Sequence, residues 1–153
     1  MNIWNTDDIA TRLARGEMNQ HQMTKYYIAC FYLQVIWSVL PMYILGYSYS
    51  INLFTFASFV IAVVVFHLGA LNVYRACAYY QKASVLDTLV VLSLPVCIKV
   101  QLGYWATYFA ISTFTQTMEN PMYVWVLYTF FTMPVIIWLQ FFLIRRAVHR
   151  NYA

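Results

Sequence analysis

Five polar side chains lie within or beside long apolar stretches of this sequence, and they are its best candidates for an intramembrane polar site. They are Lys99, His67, Asn72, Gln101 and Asp87. Lys99 is the most informative, because an ionised side chain inside a membrane costs several kcal/mol unless it is paired, hydrated or able to reach the interface. The chemistry of such a set is ion pairing and hydrogen bonding around the Lys99 ammonium, with the other four as candidate partners.

Catalytic motifs are absent from the sequence. It contains no HExxH, no GxSxG and no glycine-rich phosphate loop, and it has only four glycines. His67 is the one histidine in a predicted span, whereas haem ligation in a helix bundle needs a pair, and a lone histidine is more often a helix-packing residue. Asp87 is the one acidic residue in or beside a predicted span, and it lies at the span edge. The sequence therefore predicts a non-enzymatic protein without a metal or cofactor.

The composition indicates a membrane protein. Of 153 residues, 63% are hydrophobic, 20% aromatic and 9% charged, whereas a soluble domain has roughly 25% charged residues. The length allows about four spans with short connections, since a span takes about 20 residues. We predict an all-α integral membrane protein that forms one domain, has four transmembrane helices and keeps its N-terminal segment. The three cysteines show no metal-binding spacing, and we predict no disulfide.

Residues 1–25 are the polar part of the chain. Thr6 followed by two aspartates predicts a helix start with Thr6 as N-cap, and Gly16 predicts the helix end. Ile9 and Leu13 form an apolar side, so we predict a short amphipathic helix on the cytoplasmic membrane surface. Asn19 is a candidate cap for a second helix that continues into the first span.

The spans are predicted at about 26–45, 53–74, 96–114 and 121–144. The third apolar region is too long for one upright span, because Ser84 and Asp87 form a capping box that starts a helix well before Lys99. Pro95 offers a break in that helix. We therefore expect residues 84–94 to form an interfacial or tilted helix.

Two positions for Lys99 remain open on this reasoning. Counted from Ser84, Lys99 lies past the middle of a hydrocarbon core about 30 Å thick. If the true span starts near 96, the Lys99 stem crosses apolar surroundings and its ammonium reaches the inner interface. Otherwise it faces the bundle interior or an aqueous cavity.

Basic residues occur in alternate loops, which is the pattern of a protein with both termini in the cytoplasm. They precede the first span, connect the second to the third and follow the fourth, while the other two loops contain no Lys or Arg. This cytoplasmic set consists of Arg12, Arg15, Lys25, Arg75, Lys82, Arg145, Arg146 and Arg150. It is a candidate contact for a soluble partner or for anionic lipid headgroups. We predict no direct contact with nucleic acid.

Two functional classes follow from this layout. The first is a small membrane subunit that forms a homo-oligomer, docks a soluble cytoplasmic partner, or does both. The alternative is an oligomeric channel or pore with Lys99 and His67 near the conduit.

In layout alone the chain is similar to small four-span membrane proteins that bacteria encode beside a soluble effector, such as the membrane subunit of the Kiwa anti-phage system, and to membrane-embedded immunity proteins. The resemblance is one of span count and orientation and involves no specific residue. It implies the bacterial inner membrane and a role as a membrane sensor or anchor in defence or immunity.

Overall fold

A computed structural model of the chain describes residues 4–44 and 53–153, without the side chains at 34, 35, 37–44 and 55. The described residues form helices and no strand, which confirms the all-helical prediction. In chain order the helices are α1 (Thr6–Ala14), α2 (Gln20–Ile44), α3 (Leu53–Tyr80), α4 (Val85–Thr115) and α5 (Met122–Asn151). The predicted loop at 46–52 lies outside the described residues.

The start of α1 differs from the prediction by one residue. Asn5, not Thr6, is the N-cap, and its side chain accepts a hydrogen bond from the backbone N–H of Asp8 at 3.2 Å. Asparagine caps as well as threonine or better, which leaves the Thr6 hydroxyl available for another contact. The predicted end is confirmed, because Gly16 follows α1 with a φ of +67°, a left-handed conformation that costs glycine nothing.

Two further predicted caps are confirmed. Asn19 accepts from the backbone N–H of Gln22 at 2.9 Å and starts α2. Ser84 accepts from the backbone N–H of Asp87 at 3.0 Å and donates to its carboxylate at 2.6 Å, which is the capping box at the start of α4. From there α4 continues through Pro95 as one helix.

Three helices are long and apolar enough to cross a membrane, namely Phe56–Tyr80, Val85–Thr115 and Met122–Asn151, with mean hydropathies of 2.2, 1.8 and 1.9. Each exceeds the roughly 20 residues that a span requires. The chain is therefore a multi-pass membrane protein. The predicted span at 26–45 falls in α2, part of which lies outside the described side chains, so that span stays a prediction.

The helices pack side by side around α5. α3 runs parallel to α5 and makes the most extensive contact with it, α4 runs antiparallel to α5, and α2 packs on α4. The parallel register is shown by the pairs Ser58–Phe130 and Tyr80–His149, and the antiparallel one by Thr107–Tyr128 and Thr88–Tyr152. α1 lies against α4 and α5, where α5 ends.

The buried core is concentrated at one end of the bundle. We call this the α1 end; it comprises α1, the starts of α2 and α4 and the last turns of α3 and α5. Its most completely buried large side chains include Ile9, Val73, Leu92, Val148 and Tyr152. The predicted helix and its apolar side are present in α1, but Ile9 and Leu13 are buried in this core and are not exposed for contact with a membrane surface.

Candidate functional site

Lys99 contacts the N-terminal helix. Its side chain is exposed, and its Nζ donates a hydrogen bond to Oγ1 of Thr6 at 2.7 Å. Thr6 is the first residue of α1, so the ammonium reaches the layer in which the charged N-terminal helix lies. A hydroxyl can accept this bond but is neutral, and among the described residues no carboxylate forms an ion pair with Lys99.

The structure does not gather the other four predicted site residues around Lys99. Asp87 precedes Lys99 by twelve residues on the same helix, or about 18 Å, and its carboxylate is bound by Ser84. Gln101 is half-buried on α4, while His67 and Asn72 are exposed on α3. The physical reason is that α3 packs mainly on α5 and touches α4 only slightly.

Lys99 stands at one end of an apolar groove between α4 and α5. The α4 wall is formed by Lys99, Gly103, Thr107 and Ile111, which follow one another at four-residue spacing and therefore share one helix face. The groove has a volume of about 790 Å³. Its four-residue spacing was visible in the sequence, but nothing local indicated that α5 would form the other wall.

A few hydroxyl groups interrupt the apolar lining. The Thr107 and Tyr128 hydroxyls lie 3.2 Å apart, and the Tyr128 hydroxyl donates to the backbone carbonyl of Tyr104 at 3.4 Å. The rings of Tyr104 and Tyr128 stack with their centroids 6.2 Å apart. These contacts join α4 to α5 beyond Gly103 and leave Lys99 as the one cation in the groove lining.

The α1 end contains a second polar cluster, which fastens α1 to the end of α5. The Asn151 side chain donates to a carboxylate oxygen of Asp7 and accepts from the Thr11 hydroxyl, each at 3.1 Å. Arg150 pairs with the other carboxylate oxygen of Asp7 at 3.1 Å. The last turn of α5 extends beyond its predicted span end at 144, and this extension is what brings both residues to α1.

Tyr152 is buried at the same end of the bundle and joins α5 to the start of α4. Its hydroxyl lies 3.0 Å from that of Thr88, which in turn donates to the backbone carbonyl of Ser84 at 2.8 Å. Since a threonine hydroxyl has one proton, the Tyr152 hydroxyl is the donor of the pair. Burial raises the pKa of Tyr152 to about 12, and the nearby Asp87 carboxylate adds to that rise.

All of the predicted cytoplasmic basic residues lie at the α1 end, on α1, at the start of α2, around the connection between α3 and α4, and on the last turns of α5. Seven are exposed and Arg12 is half-buried. Two of them form ion pairs among the described residues, Arg150 with Asp7 and Arg15 with Glu17, the latter at 3.8 Å. The opposite end contains Glu119 and no Lys or Arg in the part of the chain that the structure describes.

Neither a metal centre nor a thiol site is assembled in the described residues. No three His, Cys, Asp or Glu side chains converge there in an arrangement that could hold a metal ion. Cys30, Cys77 and Cys97 are free and buried. The Gln140 side-chain amide donates to the sulfur of Cys97 at 3.8 Å, which joins α5 to α4.

The chain matches no protein-family model, no curated protein and no solved structure in comparisons with all three.

Proposed function

We propose that this protein is a four-span, non-enzymatic membrane subunit whose cytoplasmic face, built from α1 and the last turns of α5, docks a soluble partner. The observation that carries the proposal is the fastening of α1 by Asn151 and Arg150. These contacts join the two ends of the chain into one continuous surface. A helix that served only as a loose tail would need no such attachment.

The charge on this surface supports both the orientation and the partner. Every Lys and Arg except Lys99 lies at the α1 end, together with Asp7, Asp8, Glu17 and Asp87, so this end has a net positive charge. Cytoplasmic loops collect Lys and Arg, which supports a position of this end on the inner side of the membrane. Exposed Arg145 and Arg146, on successive positions of α5, suit an acidic patch on a soluble protein.

Four spans follow from the same orientation. The start of α2 belongs to the core of the α1 end through Tyr26 and Cys30. If α3, α4 and α5 each cross the membrane, α3 begins on the outer side, and α2 is the element that brings the chain there. A bacterial inner membrane and a sensor or anchor role in defence or immunity are the setting that this layout suggests.

Self-association is part of the proposal, and a channel is its alternative. α3 exposes large apolar side chains such as Phe56, Phe59 and Phe66, which face either lipid or another copy of the chain. A conduit that used both Lys99 and His67 requires another copy to bring them together, because they lie on helices that barely touch.

Native mass spectrometry of the gently extracted, tagged full chain tests the proposal. We expect a stoichiometric soluble protein bound to the wild type and lost from the variant Arg145→Glu/Arg146→Glu. The matched control is Glu119→Lys, a charge reversal at the opposite end, which should retain the partner. Equal partner binding by all three proteins contradicts the proposal. A discrete homo-oligomer without a partner favours the channel or a self-assembling scaffold.

Orientation has its own test. The native cysteines are buried, so single added cysteines report accessibility against a low background. A membrane-impermeant maleimide applied to intact cells should label Glu119→Cys and leave Arg146→Cys unlabelled, and inverted vesicles should reverse the result. Labelling of Arg146→Cys from outside refutes the cytoplasmic position of the α1 end.

A further inference from the structure

We propose that the groove between α4 and α5 binds one acyl chain of an anionic phospholipid, whose phosphate pairs with the ammonium of Lys99. The observation is the combination of a single cation with an otherwise uncharged groove of about 790 Å³. That volume falls in the range of about 300–1,000 Å³ typical of small-molecule sites. The site requires neither the soluble partner nor a particular side of the membrane.

Charge complementarity selects the headgroup. Among the described residues the partner of the Lys99 ammonium is the neutral Thr6 hydroxyl, at 2.7 Å. An ammonium at the edge of a hydrocarbon layer is stabilised by a phosphate oxygen, which adds the missing negative charge. The Thr6 hydroxyl accepts from Lys99 and still has its own proton to donate to the same phosphate.

The direction of the groove matches the direction of a lipid. Lys99 is at the end beside α1, and the apolar lining continues away from α1 along Gly103, Thr107 and Ile111. From Lys99 to Ile111 is twelve residues, or about 18 Å of helix. This is slightly more than half of a hydrocarbon core about 30 Å thick. A lipid in the leaflet next to α1 would thus have its phosphate at Lys99 and its acyl chain in the groove.

Gly103 leaves open space in the α4 wall of the groove. A Cβ added at Gly103 would meet nothing within 4 Å, so the space beside this residue is open. Because Gly103 lines the groove, a larger side chain at this position would extend from that open space into the groove. Gly103 therefore allows a test that fills the site and preserves the helix.

The test is native mass spectrometry of the full chain taken from nanodiscs that contain equal amounts of phosphatidylglycerol and phosphatidylcholine with identical acyl chains. For the wild type we expect one phosphatidylglycerol retained per chain in preference to phosphatidylcholine. Lys99→Gln should lower that preference about fivefold, which corresponds to one basic residue near a lipid surface. Lys82→Gln, which removes an exposed charge outside the groove, should leave it unchanged.

Gly103→Leu should lower the retention of both lipids while leaving the helical content unchanged. An unaltered lipid preference in Lys99→Gln overturns the proposal, as does full lipid retention in Gly103→Leu. If Gly103→Leu instead shifts the oligomeric state with lipid retention intact, the groove is an interface between copies of the chain and the proposal is wrong. None of these outcomes depends on whether a soluble partner is found.

Discussion

The two ends of the bundle are packed in different ways. At the α1 end, Leu92 and Val148 are completely buried among side chains from several helices. At the opposite end, which comprises residues 53–66, 101–115 and 122–135, large apolar side chains such as Phe59, Phe109 and Phe131 stay exposed. Both ends contain many apolar side chains, so the number of apolar residues alone does not explain the difference in packing.

The difference in the burial of apolar side chains indicates the surroundings in which each end is stable. An exposed apolar side chain is stable in lipid, because the surrounding hydrocarbon is as apolar as the side chain itself. The α1 end contains eight of the nine Lys and Arg residues, and there apolar side chains gain by burial against one another. The α1 end is thus a small globular core, and the opposite end relies on the bilayer to complete its packing.

The largest expected effect comes from removing core volume at the α1 end. Leu92 is 0% exposed, so Leu92→Ala should lower the free energy of unfolding by about 2–5 kcal/mol through lost contacts and a cavity. Leu102, on the same helix, is 50% exposed, and Leu102→Ala should change it by no more than about 0.5 kcal/mol. Titration of both variants from mild detergent into a denaturing one, followed by circular dichroism, measures these values. Similar losses would mean that the two ends do not differ in packing.

Alanine substitutions at two glycines, Gly69 and Gly103, test where helices approach closely. A Cβ at Gly69 would lie 2.5–2.8 Å from Cδ2, Cγ and Cβ of Phe141, so Gly69→Ala should separate α3 from α5 and cost about 1–3 kcal/mol. Gly103→Ala meets open space and should stabilise α4 by up to about 1 kcal/mol, because alanine is the better helix former. In the same unfolding measurement, the changes in the free energy of unfolding of the two variants should have opposite signs. Two losses of equal size would contradict the close contact of α3 with α5.

Two variants of α5 distinguish the contribution of buried hydrogen bonds to the attachment of α1 from that of surface charge. Asn151 is half-buried and bonds both Asp7 and Thr11, so Asn151→Ala should cost about 1–3 kcal/mol and loosen α1. The side chains of Arg150 and Asp7 are 68% and 46% exposed, so Arg150→Gln should cost less than about 1 kcal/mol. Hydrogen exchange of residues 6–14 measures the loosening. Faster exchange in the Arg150 variant than in the Asn151 variant would assign the attachment to charge instead.

The last prediction concerns a single hydrogen bond, that of the Tyr152 hydroxyl. Tyr152→Phe removes one hydrogen bond to Thr88 and should cost about 1 kcal/mol, since Thr88 retains its bond to Ser84. The pKa of Tyr152 is raised from 10.0 to about 12 by burial, so its contribution to stability is complete below pH 10 and is lost as the pH rises through 12. The stability difference between the wild type and Tyr152→Phe should therefore be constant up to pH 10 and fall above it. A constant difference at every pH would contradict a buried, neutral hydroxyl.

The local parts of the fold could be predicted from the sequence. Asn19, Ser84 and Gly16 mark helix ends because capping depends on residues three or four positions apart. The one error at a cap, Thr6 for Asn5, came from two neighbouring residues that are both good caps. The apolar helices followed from composition, since about 20 apolar residues suffice to cross a membrane.

The tertiary structure decided what those helices do to one another. Helices surrounded by lipid are apolar on every face, so periodicity does not show which face is buried or which neighbour buries it. For this reason the sequence did not indicate the parallel pairing of α3 with α5 or the groove beside Gly103. The partner of Lys99 is Thr6, 93 residues away in the chain. The sequence by itself determined the class of the protein, its helices and the loops in which its basic residues collect. Packing, which depends on contacts between distant residues, decided where its candidate sites lie.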